Sequence, residues 1–297
     1  SADKSQTTQP ASSPDTGILI ADDRAMDFLT LQDLKQTLET VRQKLGQAFD
    51  VIGLDMGLCA TAEISYQLQD ASSYLIASQE EELMDGWPIA RIVEALSADP
   101  DLPPDGLARL ILAEYQQFYS TKSTQRAVDV TLSAARLAAM PRLGKAVQEF
   151  VQAVMAAGDP ARIALARARV DALTFVDGTS VDLADLLDRF MGTYQNGSID
   201  AIRASQALRA LIEPSQGPIQ ANTTIGERFD ANAHGMSIYF PWPGPVAPEY
   251  DTPLLDFVET GWLDLLRWME AGREQIKSAL RQAELDEATQ KLNALTE

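Results

Sequence analysis

The chain has 297 residues, 45% of them hydrophobic, and a formal charge of -19 from 43 acids against 24 bases. It is long enough to bury a large core in one long domain or in a domain with a helical subdomain, and its acidity argues against nucleic acid or an anionic membrane surface as a partner. No apolar run approaches the roughly 18 to 20 residues of a membrane span, and a single cysteine excludes an internal disulfide while leaving the redox compartment open.

Ser1 to Thr16 is rich in Ser, Thr, Gln and Pro, lacks a signal-peptide core and reads as a flexible segment. A helix follows Thr30, which can cap it with Asp33 three residues on. Leu31, Leu34, Leu38, Val41 and Leu45 recur at helical spacing, and Gly46 suits the stop. Phe49 to Asp55 is a short apolar run bounded by a glycine and an acid, the pattern of a buried strand in a parallel sheet. Ala60 to Gln69 reads as the next helix, so Asp55, Met56 and Gly57 fall on the strand-to-helix turn, where α/β sheets usually place ligands and reactive groups. Apolar residues at three- and four-residue spacing predict helices over Leu107 to Tyr119, Ala127 to Ala157, Val181 to Phe190 and Ile199 to Ile212. Pro241-Trp242-Pro243-Gly244-Pro245 must be a loop and is a candidate cleft wall. Trp262, Leu265, Leu266 and Met269 form an apolar helical stripe, and Arg273 to Glu297 is a charged, helix-prone tail that docks on the body or on a partner.

Few residues offer chemistry by themselves. Cys59 fits a small buried core position. His234 is the only histidine, so the sequence offers no Cys/His or multi-histidine metal site within the chain; it precedes a predicted strand and fits a structural role. Glu80-Glu81-Glu82 is the kind of acidic run that usually marks a solvated loop, although beside Asp85 it could rim a cleft for a basic residue or hold calcium. There is no EF-hand pattern, no phosphate-binding glycine loop and no Gly-x-Ser-x-Gly elbow.

Several blocks taken together resemble the clostripain-like family of caspase-fold cysteine peptidases. Asp55, Leu58 and Glu63 stand in register with the family's Asp-x-Cys-Leu-Met and the glutamate six residues after the cysteine. Ala71 to Glu80 is similar to its second strand ending in Ala-Ser-Glu-Glu, with Gln79 departing from the acid, and Asp85-Gly86-Trp87 matches its Asp-Gly-Trp. Thr124 to Asp129 is like its Thr-x-Ser-Ala-x-Asp, with Arg126 in place of the serine, and His234 to Pro241 is like its Gly-x-Ser-Ile-Tyr-Phe-Pro strand. Gly17 to Asp23 and Leu29 to Leu34 look like the approach to the nucleophile strand, and the blocks together span roughly residues 17 to 268.

The resemblance implies an α/β, caspase-like three-layer fold with a central mostly parallel sheet and additional helices. Its expected divisions are the segment 1-16, a peptidase domain over 17-270 with a helical insertion at about 100-215, and a helical tail over 271-297. It further implies a cysteine endopeptidase cleaving after Arg or Lys, with Asp55 and Asp85 lining the specificity pocket beside Trp87, and a secreted or periplasmic location. The nucleophile position is Gly57, which has no side chain, and the family's catalytic histidine lies ahead of this region, where this chain has none. The chain is therefore expected to be inactive as it stands, with an N-terminal chain supplying the histidine and the first strands. Its ligand is a basic peptide or protein, and it needs no cofactor, calcium being the one that some relatives leave open. The competing expectation is a pseudopeptidase that binds or scaffolds, recognising basic peptides or a catalytic partner.

Overall fold

The computed structural model describes residues 18–22, 27–123, 128–213, 217–229, 231–250 and 255–294. The expectations for Ser1 to Thr16 and for Thr124 to Ala127 lie outside the described residues.

Strands β1 (Ile18–Asp22) and β2 (Asp27–Thr30) pair antiparallel and lead into α1 (Leu31–Leu45). The helix starts and stops where local chemistry dictates. The Thr30 hydroxyl accepts from the Asp33 amide while Asp33 reaches back to the Thr30 amide, and Gly46 ends the helix at φ 74°. Leu31, Leu34 and Leu38 pack on the core.

The main sheet has the order β3 (Phe49–Gly53), β4 (Ser72–Ala77), β5 (Val130–Arg136), β7 (Ile219–Ile225). Only β3 and β4 run parallel; β4 with β5 and β5 with β7 are antiparallel. The α/β caspase-like class expected from the sequence is present, but the sheet is mixed rather than mostly parallel. β3, expected as a buried strand, is half-buried to exposed, because among the described residues it pairs with β4 alone at an edge of the sheet. An apolar run reports neither edge position nor the direction of the neighbouring strand.

Alternation at period two sends the strand side chains to opposite layers. Tyr74 and Ile76 of β4 and Val130, Leu132 and Ala134 of β5 meet Ile111, Leu112, Tyr115 and Tyr119 of α4 (Pro104–Ser123), with α3 (Ile89–Ala98) alongside. Leu75 and Ala77 face the larger core built from α2 (Ala62–Gln67) and α5 (Met140–Ala156). Behind it lie α6 (Asp159–Asp171), α7 (Leu183–Thr193) and α8 (Ile199–Ile212), together with α9 (Trp262–Ala271), whose stripe Trp262, Leu265, Leu266 and Met269 is fully buried.

The helix expected over Ala127 to Ala157 is a strand followed by a helix. Val130, Leu132 and Ala134 alternate with Thr131 and Ser133, so β5 lies within the stretch expected as a helical insertion. A small antiparallel pair joins β6 (Ser180–Asp182) to β8 (Ser237–Tyr239), and Thr61 bridges to Ser237. Trp242 is buried in the main core, and its loop shares a small cavity with Leu266 and Met269 of α9. The tail is α10 (Arg273–Ala294), in which Ile276 and Leu280 pack on the core while Leu285 is exposed.

Candidate active site

Parallel β3 and β4 finish at the same end of the sheet, which brings the turn after β3 against the loop after β4. Main-chain hydrogen bonds lace the two together: Leu54 to Ile76, Leu58 to Glu80 and Ala60 to Ser78. The polar face of β5 fixes the second loop. Thr131 Oγ1 accepts from the amides of Gln79 and Glu80 at 3.0 and 3.2 Å, and Ser133 donates to the Gly235 carbonyl at 2.7 Å. These hydroxyls are the alternate residues of a strand whose other face is apolar, so one strand both packs α4 and pins the site.

Gly57 lies on the turn after β3, half-buried. A Cβ built on it would stand 2.6 Å from the Glu81 Cα and 2.9 Å from the Glu82 nitrogen. The space a side chain would need is occupied by main chain, and main chain yields less readily than a rotating side chain. Leu58 next to it takes a left-handed φ of 61°, strained for a residue with a Cβ, and its side chain is buried with Phe175, Phe229 and Ala233. Cys59 is 4% exposed and its thiol lies 3.3 Å from the Gly57 carbonyl. Burial, with Glu82 adding repulsion, pushes that thiol up to about 12, so at neutral pH it holds its proton and is no nucleophile.

On the opposite side of the turn, Trp87 organises the acids. Its amide donates to Asp55 Oδ2 at 3.2 Å and its indole Nε1 donates to Glu82 Oε1 at 3.2 Å, while its ring covers Gly53. The Tyr115 hydroxyl of α4 donates to the other Glu82 oxygen at 3.0 Å. Burial first, then repulsion from Asp55, raises the Glu82 carboxyl to about 7 against the lowering effect of those two donors. Asp85 is held elsewhere: Lys122 of α4 pairs with it at 2.6 Å, and Tyr119 donates to the Gly86 carbonyl. Asp55 and Trp87 are thus joined by a hydrogen bond, while Asp85 carries its own internal cation. Glu82 and Tyr115 were not singled out by residue-level reading of the sequence beyond the acidic run and a helical apolar stripe.

The acidic run is solvated only in part: Glu81 is exposed, Glu82 half-buried and Glu80 buried. Glu80 is buried, pairs with Arg228 at 3.0 Å and accepts from the amides of Glu81 and Val176. Burial still outweighs these contacts and raises its pKa. Glu80 and Glu82 are engaged by different partners, Arg228 for the first and Trp87 and Tyr115 for the second. Among the described residues, no three His, Cys, Asp or Glu side chains gather as a metal site.

Gln79 and His234 converge on Asp182, which is fully buried. Asp182 accepts from the Gln79 side-chain Nε2 at 3.0 Å, from the His234 main chain at 2.7 Å, from His234 Nδ1 at 3.0 Å and, as the cap of α7, from the Asp185 main-chain N–H at 2.9 Å. Both neighbours of His234 Nδ1, Asp182 and the Asn232 carbonyl, are acceptors, which assigns its proton to that nitrogen. The hydrogen bond to Asp182 raises the histidine pKa. Glu63 on α2 is buried as well, accepts from the Tyr239 amide and the Tyr250 hydroxyl, and is pushed up by burial. It ties the helix after Gly57 to β8.

The fold is a mixed α/β sheet between layers of helices, with the candidate site on the turn at the carboxyl end of β3. The family model for the clostripain family matches residues 7–201, and the chain belongs to that family. Among solved structures it is similar to a B. fragilis cysteine protease, at 17% identity and a TM-score of 0.55, covering 82% of this chain and 98% of that one. It is also similar to a clostripain from Bacteroides thetaiotaomicron ATCC 29148 in complex with the peptide inhibitor BTN-VLTK-AOMK, at 16% identity and a TM-score of 0.56, covering 80% and 98%. A secreted C11 cysteine protease from Bacteroides thetaiotaomicron matches at 17% identity and a TM-score of 0.56, with 79% of this chain covering 63% of that one. At these identities the likeness is one of fold. No curated protein matches the chain.

Proposed function

We propose that this chain is a member of the clostripain family that holds a basic side chain at the carboxyl end of β3 without cutting after it. The observation that carries this reading is the filling of position 57. Acyl transfer by a cysteine peptidase needs a thiolate, a histidine to move the proton and amide donors for the oxyanion. Gly57 supplies no nucleophile, and the main chain of Glu81 and Glu82 stands where a nucleophile's Cβ would go. Asp55 beside it keeps an exposed carboxylate fixed by the Trp87 amide, suited to a guanidinium or ammonium group. The resemblance points to Asp85 as a second acid, but Asp85 is already paired with Lys122; the similar clostripain is itself bound to the peptide inhibitor BTN-VLTK-AOMK.

A second reading is an Arg/Lys-cleaving endopeptidase completed by an N-terminal chain that carries the histidine. What favours it is β3, which pairs with β4 alone and forms an open edge of the main sheet among the described residues. An added strand would satisfy that edge. An extracytoplasmic location accords with the secreted relative, and among the described residues no helix is long and apolar enough to cross a membrane.

Fluorescence anisotropy with a fluorescein-labelled peptide ending in arginine amide, compared with the same peptide ending in citrulline, tests the binding reading. The arginine peptide is expected to bind about tenfold tighter or better, the worth of one charge-assisted contact. Equal affinities would remove the basic-residue site.

A further inference from the structure

The notable feature of the acid-lined turn is which acid is left to serve it. Asp85, the acid that follows from the resemblance, is paired at 2.6 Å with Lys122, whose ammonium also lies 4.5 Å from the centre of the Phe118 ring. Both partners are only about a third exposed, at 27% and 35% of their side chains, so solvent screens the pair incompletely. A basic ligand reaching Asp85 would have to displace a cation already tethered to the fold. Glu82 stands differently. One residue, Trp87, binds both Asp55 through its amide and Glu82 through its indole, so the two carboxylates share a single rigid mount. Tyr115 fixes the second Glu82 oxygen from α4, and no cation is paired with Glu82 among the described residues. The Glu82 main chain also borders position 57, its nitrogen 2.9 Å from where a Cβ of residue 57 would lie.

Resting on the basic-residue reading above, we propose that Glu82 is the second carboxylate of that site, pairing with Asp55 around a guanidinium or ammonium group, while Lys122 withdraws Asp85 from the task. Trp87 and Tyr115 are positioning residues: each donates to one oxygen of the Glu82 carboxylate. A cation arriving between Asp55 and Glu82 relieves the repulsion between them, which makes a charged ligand worth more here than at a lone surface acid.

The arrangement predicts a pH signature. Glu82 titrates at about 7. The titratable groups around it are Asp55 and Cys59 from the turn after β3 and Tyr115 from α4, with Tyr119 beside Tyr115. Cys59, at about 12, and Tyr115, pushed up by burial, keep their protons across the neutral range. Below pH 7 a basic ligand must expel the Glu82 proton to bind, and above it the carboxylate is ready, so affinity rises with pH through that region and then levels off.

The test uses the same labelled arginine-amide peptide with Glu82→Gln, Asp55→Asn and Asp85→Asn, each checked by circular dichroism for native helix content. Glu82→Gln and Asp55→Asn are each expected to weaken binding about tenfold or more, and Asp85→Asn about twofold or less. The parent is expected to gain affinity between pH 6 and pH 8, and Glu82→Gln to lose that gain. A loss in Asp85→Asn matching that in Asp55→Asn, with Glu82→Gln unchanged, would overturn the Glu82 assignment and leave the basic site standing. Equal binding of arginine and citrulline peptides would overturn the site itself. Should Glu82→Gln fail to fold, a flat pH profile in the parent overturns the proposal by itself.

Discussion

Asp182→Ala is expected to destabilise the fold by about 3–5 kcal/mol, the scale for stripping a buried charge from its partners. Its carboxylate is fully buried and accepts from four donors on three segments: Gln79 after β4, His234 before β8, and Asp185 in the first turn of α7. Alanine removes the acceptor of the Gln79, His234 and Asp185 N–H groups, with His234 Nδ1 keeping the Asn232 carbonyl, and each donor left unpaired and kept from water costs about 1–3 kcal/mol. The His234 contribution has a sign in pH. Its pKa is raised in the fold, so its stabilisation is full below the unfolded value of about 6.5 and fades as pH rises through the folded value. The cost of Asp182→Ala should therefore be larger at pH 5.5 than at pH 8.5. Urea unfolding followed by tryptophan fluorescence measures both, and a loss under about 1 kcal/mol would show that water or rearrangement satisfies the donors.

Gly57→Cys is expected to cost about 1–3 kcal/mol in stability and to leave the chain unable to cleave. The new Cβ meets the Glu81 Cα at 2.6 Å and the Glu82 nitrogen at 2.9 Å, so the loop after β4 must retreat. That loop is anchored by Thr131 through the amides of Gln79 and Glu80 and by Gln79 through Asp182. Gly57→Ala carries the same Cβ without the thiol and should show the same loss of stability. Restoration of the thiol is thus no simple rearming, and the loop has a geometry that suits glycine. Denaturant midpoints of both variants, read with hydrolysis of Arg- and Lys-ended reporter peptides, decide the matter. A Gly57→Cys protein as stable as the parent and newly able to cleave would show that the loop gives way freely and would favour the disarmed-endopeptidase reading.

What was legible in the sequence was local. Thr30, Asp33 and Gly46 specify the ends of α1 by side-chain and backbone chemistry within a few residues, and Ile199 to Ile212 announces α8 by its spacing alone. The apolar run from Phe49 marks β3, and the motif around Asp55 placed the strand-end turn. Strand direction was not legible, because it is set by the long connections through α3 and α4 rather than by any residue of β4 or β5. β5 itself merged with the following helix: Ala134 and Ala135 continue an alanine-rich pattern into α5, and only the Thr131 and Ser133 alternation betrays the strand. At the site, the acids themselves stood out. Their partners did not, because Lys122 for Asp85 and Tyr115 for Glu82 come from α4, which follows two loops and a helix later. A run of three glutamates looks like a solvated loop until Arg228, Trp87 and Tyr115 are folded against it.

The central claim, that a basic side chain is held here and not cut, is tested most directly by mass spectrometry of a peptide with one internal arginine after prolonged incubation with the protein above its binding constant. The expected result is the intact peptide alone, recovered from a sample in which anisotropy shows it bound. A product ending in arginine, lost again in Asp55→Asn, would contradict the claim and establish the chain as a working endopeptidase.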